Sequence, residues 1–158
     1  MKSLFFAVTI FFMGGCASEP SRIVDSSSSD GRFKITLEAT SDWARPGQTI
    51  PVKVRLERLG EVVLPEEEIN IIFSTFNGDV NPSTLNSVFV DSTSERFSGV
   101  IKDDSIYENW VEFTPDSRPI ELQAELNARI QTTWPDDGSY SSLGHVKLRI
   151  RISEAKTF

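Results

Sequence analysis

Residues 122–131, LQAELNARIQ, place Leu122, Ala124, Leu126, Ala128 and Ile130 at every second position, with polar side chains between them. A period of two gives a strand one buried and one wet face, because successive side chains point to opposite sides of a sheet. The same alternation runs through 33–39 (FKITLEA), 50–57 (IPVKVRLE) and 146–152 (VKLRIRI). Residues 69–76 (INIIFSTF) are more continuously apolar, which fits a central strand, and 87–91, 96–101 and 106–114 are shorter candidates. Ala44-Arg45-Pro46-Gly47 is turn-like, and Leu59-Gly60-Glu61 and Asn77-Gly78-Asp79 supply glycines where tight turns call for positive φ. No stretch of twelve residues keeps an amphipathic helical period, and Pro65–Ile69 (PEEEI) reads as a charged loop. Short strands with turn signals every eight to twelve residues predict an all-β fold, an antiparallel β-sandwich of 7–9 strands, with a barrel as the alternative.

The 158 residues fit about one domain, and the single Cys and single His narrow its chemistry. One Cys excludes an intrachain disulfide framework, a Cys-based zinc site and a thiol redox pair. One His leaves carboxylate-dominated metal sites and removes most Ser-His or Cys-His catalysis. A net charge of −7, from 16 Lys+Arg against 23 Asp+Glu, argues against nucleic acid, whose binders need a positive field.

The first sixteen residues, MKSLFFAVTIFFMGGC, join a cation at Lys2, an apolar run from Leu4 to Met13 and the small residues Gly14 and Gly15 ahead of Cys16. Those are the parts of a secretory signal peptide, and the run is about half the ~20 residues that a membrane-spanning helix needs. Met13-Gly14-Gly15-Cys16 closely resembles a bacterial lipobox, with Met where Leu is commoner. The resemblance implies cleavage before Cys16, acylation of its thiol and anchoring in a lipid bilayer. Ala17, rather than Asp, after the Cys implies by the same resemblance the outer membrane. Several acyl chains, at ~0.8 kcal/mol per buried CH₂, hold stably where one would be marginal. The expected organisation is a signal peptide over 1–15, the lipidated Cys and a flexible tether over 16–31, a domain over 32–153 and a tail over 154–158. The Ser- and Asp-rich stretch 17–31 offers little to bury, although an edge strand at Arg22–Val24 is an alternative.

Residues 35–56 (ITLEATSDWARPGQTIPVKVRL) resemble the opening of a bacterial Ig-like domain: a strand, a short loop ending in Pro46-Gly47-Gln48, then an alternating strand. Ile69–Val80 resembles the strand and Gly turn that follow in invasin-type members, and Ile106–Ala128 their late strands. The resemblance spans roughly 32–153 and implies an Ig-like sandwich used for adhesion, display or scaffolding rather than catalysis. The Cys-Trp-Cys core of antibody domains is missing, as is a Tyr at the start of the 120–131 strand.

His145 has no second His or free Cys to share a ligand and reads as a solvent-facing residue of the last strand. Asp103-Asp104, Asp136-Asp137 and Glu66-Glu67-Glu68 do not match a calcium-loop spacing, and no cofactor is expected. Lys147, Arg149 and Arg151 form a basic ladder that Glu121 and Glu125 of the preceding strand are placed to neutralise across a hairpin. The segment 132–144 (TTWPDDGSYSSLG) is the best binding candidate, because it reads as a loop longer than hairpins use and combines aromatics with Ser, Gly and Asp. Trp134, Asp136, Asp137 and Tyr140 are its candidate contacts for a protein or polysaccharide partner. The alternative is that Trp134 only closes the core. Trp43 and Trp110 are expected in the core or at its rim. The expected function is a non-catalytic, lipid-anchored binding module, with an accessory subunit of an envelope assembly and a small hydrolase as the other classes.

Overall fold

A computed structural model describes residues 21–59, 68–86, 106–133 and 140–153. They form strands β1 (Arg22–Ser27), β2 (Phe33–Ala39), β3 (Trp43–Ala44), β4 (Ile50–Arg58), β5 (Glu68–Phe76), β6 (Gly78–Asn81), β7 (Thr84–Leu85), β8 (Ile106–Pro115), β9 (Gln123–Thr133) and β10 (Tyr140–Ile152). No helix occurs among the described residues. The strands make two five-stranded sheets, β1-β2-β4-β8-β6 and β3-β10-β9-β5-β7. Every pairing is antiparallel except the short parallel contact that sets Arg151 of β10 beside Trp43 of β3.

In the order β2-β4-β8-β6 against β10-β9-β5, the chain reproduces the A-B-E-D and G-F-C sheets of a constant-type Ig sandwich. Those seven strands agree with the expected architecture. The described total of ten exceeds the expected range because β1, β3 and β7 add short or edge pairings. The candidate strands at 87–91 and 96–101 lie outside the described residues.

The alternating residues meet between the sheets. Ile35 and Leu37 of β2, Val54 and Leu56 of β4 and Phe113 of β8 are buried against Ile71 of β5, Leu126 and Ile130 of β9 and Leu148 of β10. Each such side chain contributes about 1.5–3 kcal/mol on leaving water. The alanines of β9 are fitted to their neighbours: Ala128 lies between Phe73 of β5 and Val146 of β10, so the small side chain leaves volume for the large one.

Two sequence expectations are corrected. Residues 22–27, assigned to the flexible tether, form β1, paired with β2 from Arg22↔Ala39 to Ser27↔Lys34. A backbone ladder and the turn at Ser28–Arg32 hold this strand, so it needs little apolar surface, and only Val24 packs against the core. In the turn the Phe33 amide donates to Ser28 Oγ at 2.9 Å, the Ser28 hydroxyl donates to Asp30 Oδ1 at 2.6 Å, and Gly31 takes φ +73°.

The second correction concerns the corner between β5 and β6. Asn77, not Gly78, carries the positive φ, at 54°, a conformation that Asn tolerates better than most residues. Gly78 is required for closeness instead. A Cβ there would sit 2.7 Å from the Thr114 carbonyl oxygen and 3.0 Å from the Phe113 ring. In the turn-like Ala44–Gly47 stretch, Gly47 takes a φ of 73°, with the Gln48 amide donating to the Arg45 carbonyl at 3.0 Å.

Candidate functional site

Of the candidate binding residues, Tyr140 lies at the start of β10 in the β9–β10 hairpin. Its strands run further than the sequence implied, pairing Ser142 with Gln131, Ser141 with Thr132 and Tyr140 with Thr133. Residues 132–133 and 140–144 of the expected loop 132–144 therefore belong to the two strands. The cause is a register shift between Ser142 and Gly144. Leu143 and Val146 both point inward although three positions apart, and that breaks the period-two signal. Tyr140 opens β10 with 68% of its surface exposed. Trp134, Asp136 and Asp137 lie outside the described residues, as does Cys16.

The bulge also seats the β1–β2 turn. The Ser29 amide donates to the Leu143 carbonyl at 2.6 Å, and a Cβ at Gly144 would press on Ser28 Cα at 3.3 Å. Asp30 organises the other side of that turn. Burial alone would raise its carboxyl, but hydrogen bonds from the Ser28 hydroxyl and the Arg32 amide, with the Arg32 guanidinium, hold it below the usual range.

On the outer face of the second sheet the basic ladder is neutralised as the sequence implied. Lys147 Nζ lies 2.9 Å from Glu125 Oε2 and Arg149 Nε 3.0 Å from Glu125 Oε1. The Lys147 hydrogen bond, followed by that of Arg149, keeps the Glu125 carboxyl below its ordinary range despite partial burial. Arg151 turns instead to Asp42, which precedes β3. Glu121 precedes β9, and His145 is exposed across from Arg129. Among the described residues no group of three or more His, Cys, Asp or Glu is placed to hold a metal ion. The pairs at Asp103-Asp104 and Asp136-Asp137, and the Glu66–Glu68 cluster, lie outside the described side chains.

The outer face of the first sheet is also laced with charge: Lys34 meets Asp25 at 3.1 Å and Lys53 meets Glu108 at 2.9 Å. Beside them stands an aromatic that the sequence reading misplaced. Trp110, expected in the core or at its rim, is 53% exposed on the outer face of β8, across from Lys53. Its phase was available: Val111 and Phe113 are inward, so Trp110 must point outward. Trp43 is half-buried on β3.

At the opposite end from Tyr140, Arg22 shares a shallow groove with Asp42, Gln123, Arg149 and Arg151. The chain thus enters the sandwich beside the end of β10, one full strand length from the hairpin tip. No family model matches the chain, and neither curated proteins nor solved structures give a match.

Proposed function

We propose that the protein is an acylated lipoprotein of the outer membrane whose sandwich serves as a non-catalytic binding module, presenting the tip of the β9–β10 hairpin to a protein or polysaccharide partner. The observation that carries this reading is the separation of the two ends. The lipobox-like Cys16 precedes a chain that enters at Arg22, beside Arg151. Tyr140, at the other end of the thirteen-residue β10, is about 40 Å away at ~3.3 Å per residue. Tyr140 supplies exposed aromatic area on a rigid strand end, and Trp134, Asp136 and Asp137 follow in sequence within the same hairpin connection. Aromatics and small polar residues in that combination suit recognition.

The test joins two measurements on one preparation. Mass spectrometry of the membrane-extracted protein should find Cys16 as an acylated first residue. A Trp134→Ala/Tyr140→Ala double variant should keep its fold by circular dichroism and lose the envelope partner that cross-links to the unsubstituted protein. Retention of that partner would overturn the hairpin assignment.

A second reading, an accessory subunit packed into a larger envelope assembly, is favoured by Trp110. An exposed Trp is the residue type most enriched at the anchoring points of protein interfaces. Under this reading Trp110→Ala, rather than the hairpin variant, releases the protein from its assembly.

A further inference from the structure

We infer that the end of the sandwich at which Arg22 enters lies against the bilayer, with Ile120 and Leu122 as its lipid contacts. The inference rests on the acylation of Cys16 proposed above and adds an orientation to it. Because β1 begins at Arg22 rather than beyond residue 31, only six residue steps separate Cys16 from the folded body. Fully extended, they reach about 22 Å. That is roughly half the ~40 Å between the ends of β10. An inverted body, with the Tyr140 end on the membrane and Arg22 uppermost, is out of reach.

What remains is an upright or a side-on body, and the side chains separate these. Ile120 is 87% exposed and Leu122 54% exposed, both just ahead of β9 at the Arg22 end. Exposed apolar groups gathered at one place mark a docking surface. The loop that carries Ile120 is braced. The Asp116 amide donates to the Asn77 carbonyl at 2.9 Å, the Ile120 amide reaches Asn77 Oδ1 at 3.3 Å, and the Ile152 amide donates to the Leu122 carbonyl at 2.9 Å. Its apolar side chains therefore project from a fixed support. The exposed charges here balance: Arg118 with Asp116 and Glu121 on this loop, and Arg45 on the turn packed against it, where the Gly47 amide donates to the Pro115 carbonyl at 2.9 Å. The flanks are unsuited to lipid: Lys53–Glu108 and Lys34–Asp25 on one sheet, and Glu125 with Lys147 and Arg149 on the other, would lose their hydration.

The experiment uses the acylated full chain in vesicles of phosphatidylethanolamine and phosphatidylglycerol. Ile120→Cys and Tyr140→Cys variants each carry one nitroxide label, since acylation occupies the Cys16 thiol. Expected is a label at 120 that collides several-fold more with dissolved oxygen than with an aqueous nickel complex, and a label at 140 with the reverse preference. Hydrogen exchange of the unsubstituted protein should slow at 116–122 on vesicles, and Ile120→Asp/Leu122→Asp should abolish that slowing. Two aqueous labels on a protein whose Cys16 is acylated by mass spectrometry would overturn the orientation alone. An unmodified Cys16 would overturn the anchoring and the orientation together.

Discussion

Glu125 of β9 lies directly across from Arg149 of β10, accepts a hydrogen bond from its Nε at 3.0 Å and also takes Lys147 Nζ at 2.9 Å. One carboxylate thus serves two cations while its own side chain is only 15% exposed. Such an arrangement is worth more than a lone surface pair, whose usual contribution is about 0.2–1 kcal/mol. Because the folded carboxyl titrates below its ordinary range, the stabilisation is fully present above the unfolded glutamate value of about 4.3. It is lost as the pH falls through the depressed folded value. Glu125→Gln should cost about 1 kcal/mol at neutral pH. Urea unfolding as a function of pH should show that gap narrowing below about pH 4. A gap that widens on acidification would contradict the ion pairing.

Two glycines with different duties should respond differently to a methyl group. Gly78→Ala drives a Cβ into the Thr114 carbonyl at 2.7 Å and Pro115 Cα at 3.1 Å, both backbone atoms that cannot swing aside. Overpacking of this kind costs about 2–3 kcal/mol. Gly31→Ala meets nothing within 4 Å, but its φ of +73° penalises any side chain by about 1 kcal/mol. Denaturant midpoints of the two variants should fall in that order.

The body of the fold was legible wherever one strand face is buried and the other wet. LQAELNARIQ shows how strong that signal is: Leu, Ala, Glu and Arg favour helices, yet burying Ala124, Leu126, Ala128 and Ile130 on one sheet face decides for β9. Legibility ended where burial stopped alternating. In β1 the ladder to β2 supplies most of the support, and backbone hydrogen bonds leave no side-chain pattern. The Asp30-Gly31 pair was a hairpin-turn signal hidden in a serine-rich context. In β10 the bulge resets the phase, so polar strand residues 140–142 read as loop. The candidate hairpin was found by composition, whereas the apolar end at Ile120 needed the topology, because Arg22 and Gln123 are neighbours only in three dimensions.

Inside and outside faces of β8 give a sharp contrast over four residues. Phe113 is fully buried, and Phe113→Ala should cost about 3–5 kcal/mol through lost transfer energy and the cavity left behind. Trp110 is larger but 53% exposed, and Trp110→Ala should cost less than about 1 kcal/mol. Far-ultraviolet circular dichroism in urea measures both without depending on the tryptophan removed. Equal losses would mean that Trp110 is covered by another part of the chain.

The β1–β2 turn decides whether the segment after Cys16 is a tether or part of the body. Ser28 is buried, accepts from the Phe33 amide at 2.9 Å, and donates to the Asp30 carboxylate that the Arg32 amide also meets at 3.0 Å. Ser28→Ala removes the acceptor that the buried Phe33 amide meets and one support of the carboxylate, so it should cost about 1–2 kcal/mol. A serine in a solvated tether would cost nothing. Hydrogen exchange separates the two cases residue by residue. Amides of β1 bonded to β2 should exchange far more slowly than a free chain and speed up selectively in Ser28→Ala, because the turn closes the ladder. If the amides of 22–27 exchange at free-chain rates in the unsubstituted protein, β1 is not a strand. The reach from Cys16 would then lengthen by those residues, and the body would be free to turn over on the membrane.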